Sequence, residues 1–277
     1  MLSTRSVYAI DLLPGEAQAP RAGINYLQLI YQQSERGDYY RDGRKSRTDA
    51  RISASQFQMR LGRTFEIDGQ PAFASVLIPL DMRTEPKGAL SNVGTVAGVG
   101  DLTAYLAYWP YANRETQTYF GTVAYVTAPT GAYDRYRALN PGGNRWSGDI
   151  QMGYQQTVWN RLIVMVAGDV FWYGKNKDYG QFSNTLEQKP IYSTQASLRY
   201  DLNSFYAIGA SYFINAGGET SVNGIANSDR LLVRRYQLVG SVNCSFGRVI
   251  LQYGGDLRTN NGYFENSRWL VRYIRPF

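Results

Sequence analysis

Polar and apolar positions alternate with a period of two over most of this chain, which is the side-chain period of a β-strand. Twelve strand-like segments follow, near 21–35, 48–67, 71–83, 96–110, 116–129, 146–158, 161–174, 190–201, 204–215, 230–245, 247–259 and 267–277. Within the fourth, Leu102, Ala104, Leu106 and Tyr108 alternate with Asp101, Thr103 and Tyr105. Within the sixth, Ile150, Met152 and Tyr154 alternate with Asp149, Gln151 and Gln155. One apolar parity runs through Leu162, Val164, Val166, Val170 and Trp172, and another through Val249, Leu251, Tyr253 and Leu257. A tilted strand needs about 9–11 residues to cross the hydrocarbon of a bilayer, and these segments are that long. Two segments depart from the pattern. Apolar parity moves from Ala50, Ile52 and Ala54 to Phe57, Met59 and Leu61, which predicts a bulge near Ser55–Gln56. The first segment is apolar on both faces over Ile24–Tyr31, which predicts either an apolar patch inside or a different register.

The connections sort into two kinds. "DGQP" (68–71), "PYANRETQ" (110–117), "WNR" (159–161), "DLNS" (201–204) and "SFGR" (245–248) are short and turn-like. Those over 35–47, 84–95, 130–145, 175–189 and 215–229 are long and polar, and that over 259–266 is shorter. Short and long connections therefore fall on opposite ends of a meander. This is the signature of an outer-membrane barrel, with an even number of strands, short periplasmic turns and long extracellular loops. The expected fold class is all-β, a transmembrane antiparallel up-and-down β-barrel over 21–277. Residues 1–20 form an N-terminal periplasmic or luminal segment. Aromatics near strand ends (Tyr39, Tyr40, Trp109, Tyr111, Trp146, Trp159, Trp172, Tyr173, Tyr206 and Trp269) suggest girdles at the two interfaces.

Composition supports this reading and removes others. Tyrosine and glycine are abundant, at 23 and 28 of 277 residues, and favour strands and turns. No apolar run reaches the length of a membrane-spanning helix. There is no histidine, and Cys244 is the only cysteine. Ser-His and Cys-His catalysis, a CxxC redox pair and the usual imidazole or thiolate metal sites are thereby excluded. No catalytic residue, metal or cofactor is expected. Asp101 and Asp169 could form an acid pair, but nothing in their spacing requires one. The net charge of +7 comes from scattered basic residues, as in "RDGRKSR" (41–47), so no nucleic-acid partner is expected. The start, "MLSTRSVYAIDLLPGEAQAP", does not read as a signal peptide, since Asp11 and Pro14 break its apolar stretch. A signal cut away before this start fits an outer-membrane location in a Gram-negative bacterium.

The stretch "GVGDL" (98–102) lacks the Lys-Ser/Thr and the helix of a phosphate loop. "GVGDLTAYLAYW" (98–109), "YVTAPTGAYD" (125–134) and the last strand, "NSRWLVRYIRPF" (266–277), instead resemble the outer-membrane channel family associated with the meta-pathway of phenol degradation. The resemblance covers about 23–277. It implies a monomeric twelve-stranded barrel that takes up small, mostly hydrophobic compounds and has no catalytic residues. Its partners are the bilayer and lipopolysaccharide outside and small hydrophobic solutes inside. The alternating last strand ending in Phe277 also resembles the signal read by the barrel-assembly machinery.

With one parity toward lipid, the other lines the lumen or its mouths: Arg60, Asp101, Asp149, Gln151, Asp169, Arg199, Arg235, Gln237, Asp256, Arg258, Arg268 and Arg272. Arginine exceeds carboxylate in that set, which predicts a mild anion preference. The alternative is that these charges pair across the lumen and close it. The loop "AYDRYRALNPGGNRW" (132–146) is expected either to fold inward as a constriction, with Tyr133, Arg135, Tyr136 and Arg137 on the path, or to remain solvated outside. Pro79 and Pro129 mark places where a gap in the wall could release a solute sideways. The function that follows is passive uptake of small hydrophobic or aromatic molecules. A structural or adhesin barrel with a plugged lumen is the alternative, and an outer-membrane enzyme a remoter one.

Overall fold

The computed structural model describes residues 11–47 and 49–277. Its main sheet holds 14 strands, of which two are short side pieces, Arg44–Arg47 and Val96–Gly98. The remaining twelve are β1 (Asn25–Arg41), β2 (Ala50–Ile67), β3 (Gln70–Gly88), β4 (Thr103–Asn113), β5 (Thr118–Thr127), β6 (Ser147–Trp159), β7 (Leu162–Tyr173), β8 (Ile191–Asp201), β9 (Tyr206–Gly217), β10 (Leu231–Cys244), β11 (Gly247–Thr259) and β12 (Gly262–Pro276). Each pairs antiparallel with its sequence neighbours, and β12 pairs with β1. The seam runs from Tyr26↔Pro276 to Tyr40↔Gly262 and is finished by two hydrogen bonds between Asn25 and Phe277. Every barrel strand therefore has two neighbours, which is what a strand needs in a medium that offers no hydrogen bonds.

The turn between β2 and β3 shows how sequence sets the geometry. Asp68 and Gly69 both have positive φ, 51° and 77°. That is the type I′ geometry whose twist matches a two-residue hairpin. At the other end the strands run further than the sequence pattern indicates. β1 reaches Arg41, β3 reaches Gly88, and β11 and β12 are joined through Asn260–Asn261 alone. Four short strands, Asn176–Tyr179, Asn184–Gln188, Thr220–Val222 and Ile225–Ala226, form a separate small sheet over this end of the barrel.

The outward face is apolar along its length, with Leu106, Val126, Met152, Val166, Leu198, Ile208, Leu238 and Val271 exposed. Trp146, Trp159, Trp172, Tyr206 and Trp269 are also exposed on it. Trp109 is not, because its ring is buried inside the barrel with Ala19, Ala107 and Tyr119. It belongs to an internal core and not to a girdle.

Two local expectations are corrected. The parity of β2 does not slip: its pairing with β1 is unbroken from Arg63 to Ile52. Ala50 and Ile52 are simply apolar residues on the inner face, fully buried against Leu90. The bulge lies on the neighbouring strand, where Phe57 faces Asp81, Gln58 faces Pro79 and Leu80 is left over. The fourth segment is also not continuous. Pairing of β3 with β4 stops at Leu77↔Thr103 and resumes at Met82↔Gly98. Pro79 has no N–H to offer, and the interval is bridged by Gly100 N–H donating to Pro79 C=O at 3.0 Å.

Candidate transport pathway

Residues Asp11–Pro20 lie against the inner face of the barrel. Leu12 exchanges hydrogen bonds with the Gln195 side chain on β8, at 3.1 and 2.7 Å. Trp109 Nε1–H donates to the Ala17 carbonyl at 2.8 Å, and Arg114 reaches the carbonyls of Ala19 and Pro20. Two carboxylates of the segment meet arginines on the opposite wall. Asp11 accepts two bonds from Arg235 at 2.7 and 3.0 Å and stands 3.5 Å from Arg268. Glu16 accepts from Arg272 Nη1 at 3.1 Å. A buried guanidinium without a counter-ion is costly, so these contacts hold the segment where the arginines need it. Residues 1–10 of the expected N-terminal segment lie outside the described residues.

Among the described residues the interior holds two chambers. The periplasmic one, about 590 Å³, is bordered by the Ser245–Gly247 turn and by Tyr26, Gln28, Phe73, Tyr105, Trp109 and Tyr125. The extracellular one, about 360 Å³, is bordered by Ile30, Val96, Asp101, Leu139, Phe171 and Leu270. Asp11, Arg60 and Arg272 border both, and so form the neck between them. The apolar inner patch expected from Ile24–Tyr31 is present as Ile30, buried on this wall near Leu270.

The periplasmic chamber has an aromatic ladder across four strands. Ring centroids are 5.9 Å apart for Tyr26 and Phe73, 5.6 Å for Phe73 and Tyr105, and 5.0 Å for Tyr105 and Tyr125. Arg60 lies over the Tyr105 ring at 5.2 Å. These are distances at which aromatic and cation–π contacts are favourable.

The inner-parity residues fall as follows. Arg60, Asp101, Asp149, Gln151, Asp169, Arg235, Gln237, Asp256 and Arg272 are all buried. Gln151 accepts from the Tyr125 hydroxyl at 3.2 Å and its amide points at Asp169, 3.5 Å away. Asp256 accepts from Thr259 and from the Glu265 backbone, at 2.8 and 2.9 Å. Arg199 is half-turned to Asp201 at 2.8 Å near the periplasmic mouth. Arg268 pairs with Glu265 at 2.7 Å, and Glu265 also takes Arg36 at 3.3 Å. Arg258 does not join them. It faces Arg234 across the strand pair while Asp256 faces Arg235, so Leu257 is an extra residue that flips the parity beyond it. Arg258 is exposed.

Asp101 is a staple. Its carboxylate accepts the N–H groups of Gly131 and Gly143 at 2.9 and 2.7 Å, tying the loop over 128–146 to the wall. The backbones cross so closely that a Cβ on Gly131 would stand 2.7 Å from the Gly100 carbonyl carbon. The "GVGDL" and "APTG" stretches are thus halves of one junction.

The Tyr133–Arg137 stretch does not reach the chambers. Tyr133 O–H donates to the Asp178 carbonyl at 2.7 Å, and Arg135 pairs with the Asp178 carboxylate at 2.8 Å. Tyr136 is exposed, and Arg137 is exposed beside Asp134 at 3.3 Å. These residues bind the small extracellular sheet. The part of the loop that borders a chamber is Leu139–Pro141, with Leu139 buried. Asp178 sits below the usual carboxylate range because Arg135 and Ser183 hydrogen-bond its charged form.

Sequence reasoning missed Glu16, Tyr26, Phe73, Tyr125 and the inward role of Trp109. A partial signal existed: Tyr105 shares the inner parity of Asp101 and Thr103, and aromatics on that parity have no lipid to meet.

A closed twelve-stranded antiparallel barrel with an apolar outer band and a lined interior is the architecture of an outer-membrane β-barrel. The chain belongs to the family described as "Putative MetA-pathway of phenol degradation", which matches residues 37–271. Among solved structures, the COG4313 outer membrane channel from Pseudomonas putida F1 is 30% identical, with a TM-score of 0.92 over 96% of this chain and 100% of that one. The β domain of the Bordetella autotransporter BrkA (12% identity, TM-score 0.57, 92% of this chain and 100% of that) shares the fold. So does the TodX monoaromatic hydrocarbon channel (10%, 0.52, 95% and 93%). Comparison with curated protein sequences yields no match.

Proposed function

We propose that this channel admits small hydrophobic or aromatic molecules passively, as a monomer without a cofactor or a catalytic step. The observation that carries this is the ladder of Tyr26, Phe73, Tyr105 and Tyr125 along the periplasmic chamber. Such a wall offers flat aromatic surface on which a ring can stack and from which it can leave. The family and the channel fold agree with it. The polar lipopolysaccharide layer excludes apolar solutes, and an internal apolar path shelters them from it. The interrupted pairing beside Pro79 supports a sideways exit for such a solute, and Pro129 adjoins the end of β5. The test is uptake of labelled benzyl alcohol by a porin-deficient Gram-negative host with intact lipopolysaccharide. Expression should raise the initial rate, and an unchanged rate defeats the reading.

A second reading has its own observation. Asp11–Pro20 fills part of the lumen, which supports a plugged barrel. Single-channel recording separates the two: a silent barrel under all voltages and solutes favours a structural role. The neck carries Arg60 and Arg272 against Asp11, and supports a mild anion preference in reversal potentials under a salt gradient. A cation preference defeats that part.

A further inference from the structure

The neck holds more positive charge than its neighbours neutralise. Arg60 is 7% exposed and forms no ion pair among the described residues, and its Nε has no hydrogen-bond partner. Its strand register places Gln28 directly opposite, and the Oε1 of Gln28 is buried and equally unpartnered. On the other side of β1, Ile30 faces Arg272. Arg60, Gln28 and Arg272 therefore form one contiguous patch on the inner faces of β2, β1 and β12. Among the described residues the carboxylate paired with Arg272 is Glu16, which belongs to the N-terminal segment and not to the wall. Directly beside Arg60 lies the aromatic ladder, beginning with Tyr105.

We propose that this patch is a binding site for an aromatic carboxylate, with its ring on the Tyr105–Phe73 ladder, its carboxylate on Arg60 and Arg272, and Glu16 as the resident carboxylate it displaces. The proposal rests on the aromatic-uptake reading above and narrows it to a substrate class. Three observations carry it together. A buried guanidinium with a free Nε is a donor awaiting an acceptor, and guanidinium groups match carboxylates in geometry and charge. The chamber is roomy enough for a single substituted ring, at about 590 Å³. Glu16 already shows that a carboxylate fits against Arg272, and it comes from the N-terminal segment and not from the wall. Gln28 Oε1 offers an acceptor for a ring hydroxyl, so hydroxylated aromatic acids are accommodated as well.

The experiment is isothermal titration of the detergent-solubilised full chain with benzoate, benzyl alcohol and acetate, in parallel with the benzyl alcohol uptake assay. Benzoate should bind at least about tenfold more tightly than either of the others, the size expected of one charge-assisted pair. Arg60→Met should remove that margin, bringing benzoate down to the affinity that benzyl alcohol shows for the same variant. Glu16→Gln should strengthen benzoate binding severalfold, a gain that a purely structural Glu16 has no reason to give. Heat-modifiable gel migration confirms that each variant is folded, and Arg272→Met serves in place of an Arg60 variant that is not. Equal binding of benzoate and benzyl alcohol, or a preference that survives Arg60→Met, overturns the carboxylate site while successful benzyl alcohol uptake leaves the general reading standing. Failure of that uptake overturns the general reading, and the narrower one with it.

Discussion

The two walls of the lumen are built from different chemistry. The wall formed by β1 and β3–β5 is aromatic, with Tyr26, Phe73 and Tyr105 in edge contact and Tyr125 tilted against Tyr105. The wall formed by β10–β12 is charged, with Arg235, Asp256, Glu265, Arg268 and Arg272 buried or nearly so. The N-terminal segment treats them differently. It gives the charged wall its missing counter-ions, Asp11 and Glu16, and touches the aromatic side chiefly through the Trp109 hydrogen bond and the packing of Ala19. The difference teaches which surface is already satisfied. A buried charge needs a partner and has found one within the chain. An aromatic face needs only something flat, and part of it is still open to the chamber.

The contrast can be broken or sharpened experimentally. The largest effect is expected from removing residues 1–20. Single-channel conductance should rise severalfold, and anion preference should grow because the arginines of β10–β12 lose both carboxylates. An unchanged current means that the segment does not obstruct the path. Next is Trp109→Ala, which empties an internal core and frees the Ala17 carbonyl. It should cost on the order of 3 kcal/mol in denaturant unfolding from vesicles, with frequent brief openings in recordings. Gly131→Val should come third. Its side chain meets backbone at the Gly100 crossing, and an overpacked crossing costs about 1–3 kcal/mol. The loop over 128–146 should become accessible to protease while β-barrel migration on gels is retained.

The smallest effect belongs to a pair outside the membrane, which serves as the control for the buried ones. Asp178 is held below its ordinary value of 3.8 by Arg135 and Ser183. A lowered carboxylate stabilises the folded form above that ordinary value and loses its contribution as pH falls below it. Hydrogen exchange over 133–137, taken relative to the unstructured-chain rate at each pH, should therefore quicken as pH falls below 3.8. Asp178→Asn should show the fast pattern at neutral pH. Because both partners are largely solvated, no measurable change in global stability is expected.

Much of the fold was legible because a membrane barrel repeats one rule. Alternation at Leu102–Tyr108 and Ile150–Tyr154 marks the faces, and the sorting of short and long connections marks the ends. What escaped had local causes. A single extra residue, Leu257, reverses the direction of Arg258, and no pattern of residue types announces it. β2 reads as slipped because Ala50 and Ile52 are apolar yet inward, where they cover Leu90. The loop residues Tyr133 to Arg137 have the right chemistry for a constriction, but their partners lie in a sheet assembled from two other loops. The neck was half visible. Arg60 and Arg272 carry the inner parity, whereas Glu16 sits in a segment with no periodicity, and its pairing with Arg272 depends on where the chain turns before β1.

That attachment has a quantitative consequence. Glu16 is joined to β1 by a short length of chain, so it presents itself to Arg272 at an effective concentration of roughly the millimolar order. A freely diffusing acid that uses the same arginine must approach that concentration, or bind more tightly, before it takes the place of Glu16. Under the aromatic-carboxylate assignment, the channel then has a threshold: scarce solute leaves it closed to leakage, and abundant solute opens it. The spacing between Glu16 and the first strand would set the level of that threshold, and lengthening it by a few glycines should lower the solute concentration at which current begins.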